Sequence, residues 1–336
     1  MTESQEKLVR QKLIATLGKS SLKSFYELRP RRVAWTFAHI WLGIAGALAL
    51  GLWAWRAETL WLKFLIPLAV FYIGTRQNAI AVQIHEAAHN LLFAGRRFND
   101  AFCNFFGAYW VLNDVESYRR VHLVHHTDLH LDSDPDRELY ELSRDGGRFQ
   151  LAKLLLQDLL WITAVRRILA YSGIEGKGTK SGELWHMAAK VGCQAVLLGT
   201  ACAFFGWRQA ILLYFTFWLV PLFSIFPAIV RLRIVAEHFS PMLDSADRPF
   251  VSRTTCTHPV EIYLFGCDME YHFEHHLLPA IPHPQLARLH TVLVEKGFFQ
   301  ALPSTEDHLS GGYLRFWGRL LSGSQRKFLT DPIISV

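Results

Sequence analysis

The residues in this chain that are best suited to unusual chemistry are its histidines, which number 16 among 336 residues. Nine of them stand in one HxxxH cluster, two HxxHH clusters and one single position that precedes the last cluster. The nine are His85, His89, His122, His125, His126, His238, His272, His275 and His276. Residues three and four positions apart share a face of a helix, so each cluster is predicted to direct its imidazoles toward one point.

Imidazole side chains bind zinc, copper, iron and nickel ions. A structural zinc site takes four ligands, and nine imidazoles exceed that number, so the count predicts two metal ions. A pair of iron ions leaves positions open for dioxygen and supplies electrons to cleave it, which makes an unactivated C–H bond oxidisable. We therefore expect a dinuclear non-haem iron centre that uses O2 as co-substrate.

Other classes of metal protein fit the histidines less well. A zinc-dependent membrane hydrolase needs about three protein ligands around one zinc ion, and it stays as a remote alternative. A metal transporter would place its ligands near the bilayer midplane, and a bis-histidine haem protein would pair histidines across membrane-spanning helices. The clusters instead lie beyond the ends of the long apolar segments described below. The five cysteines form no CxxC pair, which argues against a thiolate zinc site or an iron–sulfur cluster.

Carboxylates beside the clusters are candidates for orienting the imidazoles, because a ligating histidine usually donates its other N–H to such a group. The strongest candidates are Glu237, Asp268 and Glu86. Further candidates are Glu270, Glu274, Asp128, Asp132, Asp134 and Asp136. The other histidines lack ligand spacing: we expect His258, His283, His290 and His308 at the surface and His186, with Lys190, at the membrane boundary. His39, within an apolar segment, either faces a substrate path or bonds a neighbouring helix.

The elements that must position these side chains are predicted from apolar segments, since 51% of the chain is hydrophobic and only 19% is charged. Four segments are long enough to cross a bilayer as helices, at residues 33–55, 60–80, 186–206 and 209–230. They form two tight hairpins. The remaining segments, 81–185 and 231–336, hold the histidine clusters. The sequence thus predicts an all-α, four-span membrane protein, a single domain over 1–336 with a helical cap that holds the metals.

Charge asymmetry predicts the topology of these spans. Basic residues are rare in the two hairpin turns and concentrate in the N-terminal arm and in segments 81–185 and 231–336. The positive-inside rule then places both termini and all nine histidines on the cytoplasmic side. The formal charge of +6 is accordingly an orientation signal, and no nucleic-acid partner is expected. Within the cap, residues 101–112 suit a short buried or interfacial helix, and 148–170 suit an amphipathic surface helix.

The order HxxxH, HxxHH and HxxHH, with paired spans before the first and last clusters, resembles the membrane fatty acid desaturase family. The segment Glu270-Tyr-His-Phe-Glu-His-His-Leu-Leu-Pro-Ala-Ile-Pro is similar to that family's last histidine box, and the resemblance covers about residues 33–295. By position, it implies that all nine histidines are metal ligands, with His238 as the additional ligand. It also implies oxygen-dependent desaturation of an acyl chain or lipid. No cytochrome b5-like haem motif is present, so a separate ferredoxin, cytochrome b5 or similar protein would supply electrons.

Two departures from the family pattern concern the groups that complete the coordination of one iron ion. Asp268 stands where many members have asparagine before the third box, and Ile234 stands where stearoyl desaturases have asparagine before the additional histidine. Related enzymes hydroxylate lipids, modify carotenoids or desaturate smaller metabolites, and these reactions are alternatives here. The resemblance and topology fit a bacterial inner membrane or an endoplasmic reticulum membrane.

Overall fold

The computed structural model describes residues 3–142, 147–166, 180–239, 252–255, 258–266, 269–299 and 312–322. Helices account for the regular structure of these residues. No strand occurs in these ranges, and the β-type pairing found there is one isolated antiparallel bridge between Thr254 and Tyr271. The prediction of an all-α fold is therefore confirmed.

The helices follow one another along the chain with short connections. In order they are α1 Glu3–Leu17, α2 Lys19–Lys23, α3 Pro30–Arg56, α4 Leu65–Ala88, α5 Arg96–Phe106, α6 Val115–Asp128, α7 Arg137–Tyr140, α8 Gly147–Leu159, α9 Lys180–Phe205, α10 Trp207–His238, α11 Pro259–Glu261, α12 His272–Leu277, α13 His283–Glu295 and α14 Tyr313–Leu321. Short 3-10 turns cover Leu60–Phe64 and Ala108–Val111, and a π turn covers Ile262–Gly266.

Four of these helices, α3, α4, α9 and α10, are long and apolar enough to cross a membrane. They match the four predicted segments, but their ends differ. The second predicted span ends at residue 80, whereas α4 continues to Ala88, and the fourth ends at 230, whereas α10 continues to His238. His85 and His238 thus lie on the spanning helices themselves, not after them.

Paired charges explain why α10 continues past its apolar part. Arg231 is buried against Asp158 of α8, and Arg233 forms an ion pair with Glu237 one turn later at 3.1 Å. A buried charge is tolerated when it is paired and hydrogen-bonded. The sequence shows the charges but not their partners, so the hydropathy pattern placed the end of the helix too early.

Two predicted cap elements also differ from the structure. The apolar stretch 101–112 lies within two pieces, because α5 ends at Phe106 and Gly107 interrupts it before the 3-10 turn. The predicted amphipathic helix over 148–170 is interrupted after Leu159, and residues 162–166 are helical again. Trp161 adopts a φ of 68° there and donates its indole N–H to Ser224 on α10 at 2.6 Å, which turns the chain. Residues 167–170 lie outside the described ranges.

Glycines allow α10 to approach the neighbouring spans. A Cβ atom on Gly51 of α3 would lie 2.3 Å from the ring of Phe217, and one on Gly74 of α4 would lie 2.5 Å from Ile225. Both partners sit in π-helical parts of α10, Phe215–Leu219 and Pro221–Ile225. Such widened turns are common near proline and near functional sites.

Candidate metal centre

The end of α4 supplies the first two imidazoles, and a buried arginine fixes that end. Arg119 of α6 donates hydrogen bonds to the carbonyl groups of Ala87 and Ala88 at 2.7 Å each. Its guanidinium also pairs with Asp100 of α5 at 2.6 Å. These bonds satisfy carbonyl groups that the end of a helix leaves open, so α4, α5 and α6 are held together directly beside His89.

Helix α6 presents the second cluster and α12 the third. Asp114 caps the N-terminus of α6, because its carboxylate accepts a hydrogen bond from the backbone N–H of Ser117 at 2.7 Å. Helix α12 is short and its residues are buried. The hydrophobic cluster beneath α12 and α13 includes Phe273, Leu277 and Leu289. The histidine face of α12 is therefore turned toward α4 and α6.

Five imidazoles converge in what we term the first imidazole group, with ligand atoms within 4.8 Å of one another. Its members are His85, His89, His122, His126 and His275. The Nε2 atom of His122 lies 2.9 Å from that of His89 and 3.0 Å from that of His126, and His275 follows at 3.1 Å from His126. Helices α4, α6 and α12 each contribute to this group.

The other four imidazoles form the second imidazole group, which comprises His125, His238, His272 and His276. The Nε2 atom of His272 lies 2.9 Å from that of His238 and 3.1 Å from that of His276. His125 joins them through its contacts with His238 and His276. The structure thus brings together all nine histidines that the spacing singled out. The rings of His126 and His276 stack at 4.2 Å, so the two groups are adjacent.

The spacing predicted that each HxxHH cluster directs its imidazoles toward one point, and this prediction is wrong for both clusters. In α6, His122 and His126 enter the first group and His125 the second. In α12 the assignment is reversed, because His275 enters the first group and His276 the second. Successive residues on a helix are rotated by about 100°, so neighbouring histidines in a pair face different sides. Each cluster therefore contributes to both groups.

The donor atoms fit metal ions. At a metal–nitrogen distance of about 2.0–2.1 Å, two nitrogens bound at right angles to one ion lie about 3 Å apart, which matches the Nε2 separations of 2.9–3.1 Å. One ring nitrogen offers either a proton or a lone pair. It can therefore form a hydrogen bond with only one of two neighbouring ring nitrogens, so hydrogen bonds between the rings do not account for all of these short separations. Both ring nitrogens of His85 are buried, and neither has a hydrogen-bond partner within the described ranges.

Burial keeps these imidazoles in the neutral form that binds metals. Desolvation lowers the pKa of His89 to about 4, with Arg119 adding to the effect. Desolvation and the neighbouring rings lower the pKa values of His122, His272, His275 and His276 well below the usual range. Neutral imidazoles present lone pairs at physiological pH, as metal ligation requires.

Asp134 orients one ring in the way expected of a carboxylate behind a ligand. Its Oδ1 atom accepts a hydrogen bond from His125 Nδ1 at 2.9 Å, which leaves Nε2 for the second imidazole group. Tyr140 donates to the other carboxylate oxygen. Burial alone raises the pKa of Asp134, but the hydrogen bonds from His125 and Tyr140 outweigh it and hold the pKa below its usual value.

Glu86 and Glu237 are both buried beside the groups. Glu86 accepts a hydrogen bond from the backbone N–H of His283 at 3.0 Å. The Oε1 atom of Glu237 accepts a hydrogen bond from Tyr313 at 3.0 Å, and its Oε2 atom lies 3.7 Å from His272. Asp268, the third predicted carboxylate, lies outside the described residues.

Two histidines predicted at the surface are buried instead. His283 begins α13, is 4% exposed and stacks on His85 at 5.3 Å. Desolvation lowers its pKa to about 3. His290 bonds the carboxylate of Glu274 beneath α12. Their sequence spacing carries no signal, because packing of α13 against the clusters brings them inward. His258 is exposed, as expected, and His308 lies outside the described residues.

The histidines near the membrane boundary bond to neighbouring elements. His186 Nδ1 lies within hydrogen-bond distance of the Tyr109 hydroxyl, at 2.9 Å, and Lys190 pairs with Asp114 at 2.7 Å, which ties α9 to the cap. His39 on α3 contacts the Tyr263 hydroxyl at 3.1 Å. Of the two roles open to His39, the observed one is a bond to a neighbouring element.

Comparison with known proteins agrees with this arrangement. The model of the fatty acid desaturase family matches residues 59–303, well over half of the chain. The chain belongs to the fatty acid desaturase family. It is also similar to dihydrorhizobitoxine desaturase from Bradyrhizobium elkanii, with 27% identity over 233 residues, 65% of either chain. The match therefore covers just under two thirds of that relative's length.

Proposed function

We propose that this protein is an oxygen-dependent diiron desaturase that introduces a double bond into an acyl chain or lipid. One observation carries the proposal: nine imidazoles converge in two adjacent groups, between the ends of two helices of spanning length and two short cap helices. A pair of iron ions bound there would supply dioxygen activation and hydrogen abstraction from unactivated carbon. In balance, one CH2–CH2 unit, O2, two electrons and two protons give one CH=CH unit and two water molecules.

The protein's own residues have three tasks in this reaction. The first and second imidazole groups would each hold one iron ion, and Asp134 holds the ring of His125 in the orientation that leaves its Nε2 atom free to bind. The buried surroundings exclude bulk water, which protects the reactive centre. The two electrons would come from a separate carrier protein, a ferredoxin, cytochrome b5 or similar.

An apolar cavity supports a hydrophobic substrate. It has a volume of about 200 Å³ and is lined mainly by leucines and aromatic side chains of α8, α10 and α14, including Leu151, Leu232 and Trp317. Arg233 and Tyr313 also line it, and both contact Glu237 beside the second imidazole group. An apolar cavity of comparable size binds a small hydrocarbon in other proteins, so this one suits a short hydrocarbon segment.

A second candidate substrate is a smaller metabolite, because the relative from Bradyrhizobium elkanii is named for dihydrorhizobitoxine and not for a fatty acid. Hydroxylation, of such a metabolite or of a carotenoid, is the competing reaction at the same kind of centre. The zinc-dependent hydrolase remains a remote alternative. We further propose that the clusters and termini face the cytoplasm of a bacterial inner membrane or of the endoplasmic reticulum, from the excess of basic residues in those segments.

The proposal is tested by expressing the full chain in a host with suitable electron carriers and analysing lipids and metabolites by mass spectrometry. A product lighter by two hydrogen atoms, formed only with O2 and a reductant, is expected. The His275→Ala variant should form none, because it lacks one ligand of the first imidazole group. A product that gains one oxygen atom would instead assign a hydroxylase, and full activity of the variant would contradict the metal assignment.

A further inference from the structure

The two imidazole groups differ in size, and a carboxylate stands beside the smaller one. The first group has five imidazoles, whereas the second has four. Glu237 directly precedes His238 at the end of α10 and is 1% exposed. A carboxylate oxygen of Glu237 lies within 4.8 Å of the ligand atoms of both His238 and His272.

The two oxygen atoms of Glu237 have different surroundings. Oε1 accepts the hydrogen bond from Tyr313 at 3.0 Å and forms the ion pair with Arg233 at 3.1 Å. Oε2 is buried and has no hydrogen-bond donor among the residues that the structure describes. A buried charged oxygen without a partner is costly, and a metal ion beside His238 and His272 would provide one.

A carboxylate that orients a ligating histidine contacts the ring nitrogen that points away from the metal, whereas a carboxylate that is itself a ligand lies beside the nitrogen that binds the metal. Asp134 contacts Nδ1 of His125, the nitrogen that points away from the second imidazole group. Glu237 instead faces Nε2 of His272, at 3.7 Å, and this nitrogen also faces His238 and His276. The carboxylate therefore lies on the inner side of the ring, where a metal ion would bind.

We propose that Glu237 is a metal ligand, and that its Oε2 atom completes the second imidazole group to five donors. This refines the sequence-based expectation that Glu237 only orients an imidazole. Arg233 and Tyr313 hold the opposite oxygen and so aim Oε2 inward. The inference rests on the proposed function, because it assumes that the second group holds its own metal ion. It makes the two ions inequivalent, one with imidazole ligands and one with imidazole and carboxylate ligands.

The test compares three full-length proteins purified anaerobically and loaded with ⁵⁷Fe: the wild type, Glu237→Gln and Tyr313→Phe. The glutamine side chain keeps the size and an oxygen that Tyr313 and Arg233 can contact, but it removes the anionic donor. The phenylalanine variant removes the hydrogen bond to Oε1 and leaves the carboxylate in place. It therefore controls for disturbance of the surrounding structure.

Iron content and Mössbauer spectra are the readouts. We expect two distinct ferrous signals in the wild type, and in Glu237→Gln the loss or shift of one signal while the other is unchanged. The iron content of that variant should fall from two toward one per chain, whereas Tyr313→Phe should keep two irons with at most a smaller shift of the same signal, because Arg233 still holds Oε1. A glutamine variant with two irons and wild-type spectra would overturn the inference. Loss of one iron in Tyr313→Phe but not in Glu237→Gln would overturn it as well.

A measurement on the wild type covers the case in which the glutamine variant does not fold. Infrared difference spectra with and without ferrous iron, on protein labelled with ¹³C-glutamate, should show glutamate carboxylate bands that shift on iron binding. Absence of such bands would also overturn the inference. The outcomes separate the two proposals: a wild type that binds no iron contradicts the proposed function, whereas two irons without a carboxylate signal contradict only the role of Glu237.

Discussion

At the scale of single residues, burial decides the charge state of the candidate ligands. His89 and His283 keep pKa values of about 4 and about 3 in the folded chain, mainly because burial disfavours the charged ring. An imidazole in the unfolded chain has a pKa of about 6.5. Between these values the unfolded chain binds protons that the folded chain does not, so folding is weakened by acid.

The metal-free protein should therefore lose thermal stability as the pH falls from about 7 toward about 4. The measurement is the midpoint of thermal unfolding of metal-free protein in detergent at several pH values across this range. In His283→Gln the pH dependence should be shallower, since one buried imidazole is removed. A midpoint that is constant or rises toward pH 5 would contradict the buried, neutral state of the clusters.

Sequence spacing predicted those residues of the candidate site that stand at helical intervals from one another, together with the single His238. The three clusters and His238 stand out in the sequence, and their nitrogens converge in the structure. His283 could not be found in this way, because it reaches His85 through packing of α13 and not through helical spacing. The division of each HxxHH cluster between two groups also depends on how α6 and α12 are rotated, which spacing alone leaves open.

At the scale of helices, close approach of the spans depends on glycine. Replacing Gly74 by alanine would place a Cβ atom 2.5 Å from Ile225, so α4 and α10 must separate or repack. Overpacking of this kind typically costs about 1–3 kcal/mol, and α4 and α10 carry His85 and His238. We expect a lower thermal midpoint and weaker iron retention for Gly74→Ala.

Gly46→Ala is the matched control, because no atom lies within 4 Å of its added Cβ and it also lies on a spanning helix. Alanine has the better helix propensity, so this variant should be as stable as the wild type or slightly more stable. The double variant with Gly74→Ala and Ile225→Ala should recover part of the loss. If Gly74→Ala and Gly46→Ala behave alike, the close contact between α4 and α10 is refuted.

The helices were predictable in number and type, but not in their ends. Hydropathy locates the four spans, since apolar runs of that length with so few charges are typical of membrane-spanning helices. It fails at the cap, where α10 continues with paired charges, Arg231 and Glu237 buried and Arg233 partly buried. Burial of such groups depends on partners distant in the sequence, among them Asp158, and these become apparent only in the folded chain.

At the scale of the whole molecule, helices of spanning length and cap helices meet at the candidate metal centre. Helices α4 and α10 run from the apolar region directly into the imidazole groups, and α6 and α12 close them from the cap. Under the proposed function, a hydrophobic substrate would reach this centre from the membrane and an electron carrier would reach it from the cap. This arrangement suits an enzyme that combines an apolar substrate, dioxygen and external electrons.

The number and kind of metal ions per chain test the central claim most directly. Elemental analysis of anaerobically purified full-length protein should give two iron atoms per chain, one for each imidazole group. One zinc atom per chain with no iron would contradict the account, because it would match the zinc-dependent hydrolase and leave most of the nine imidazoles without a role.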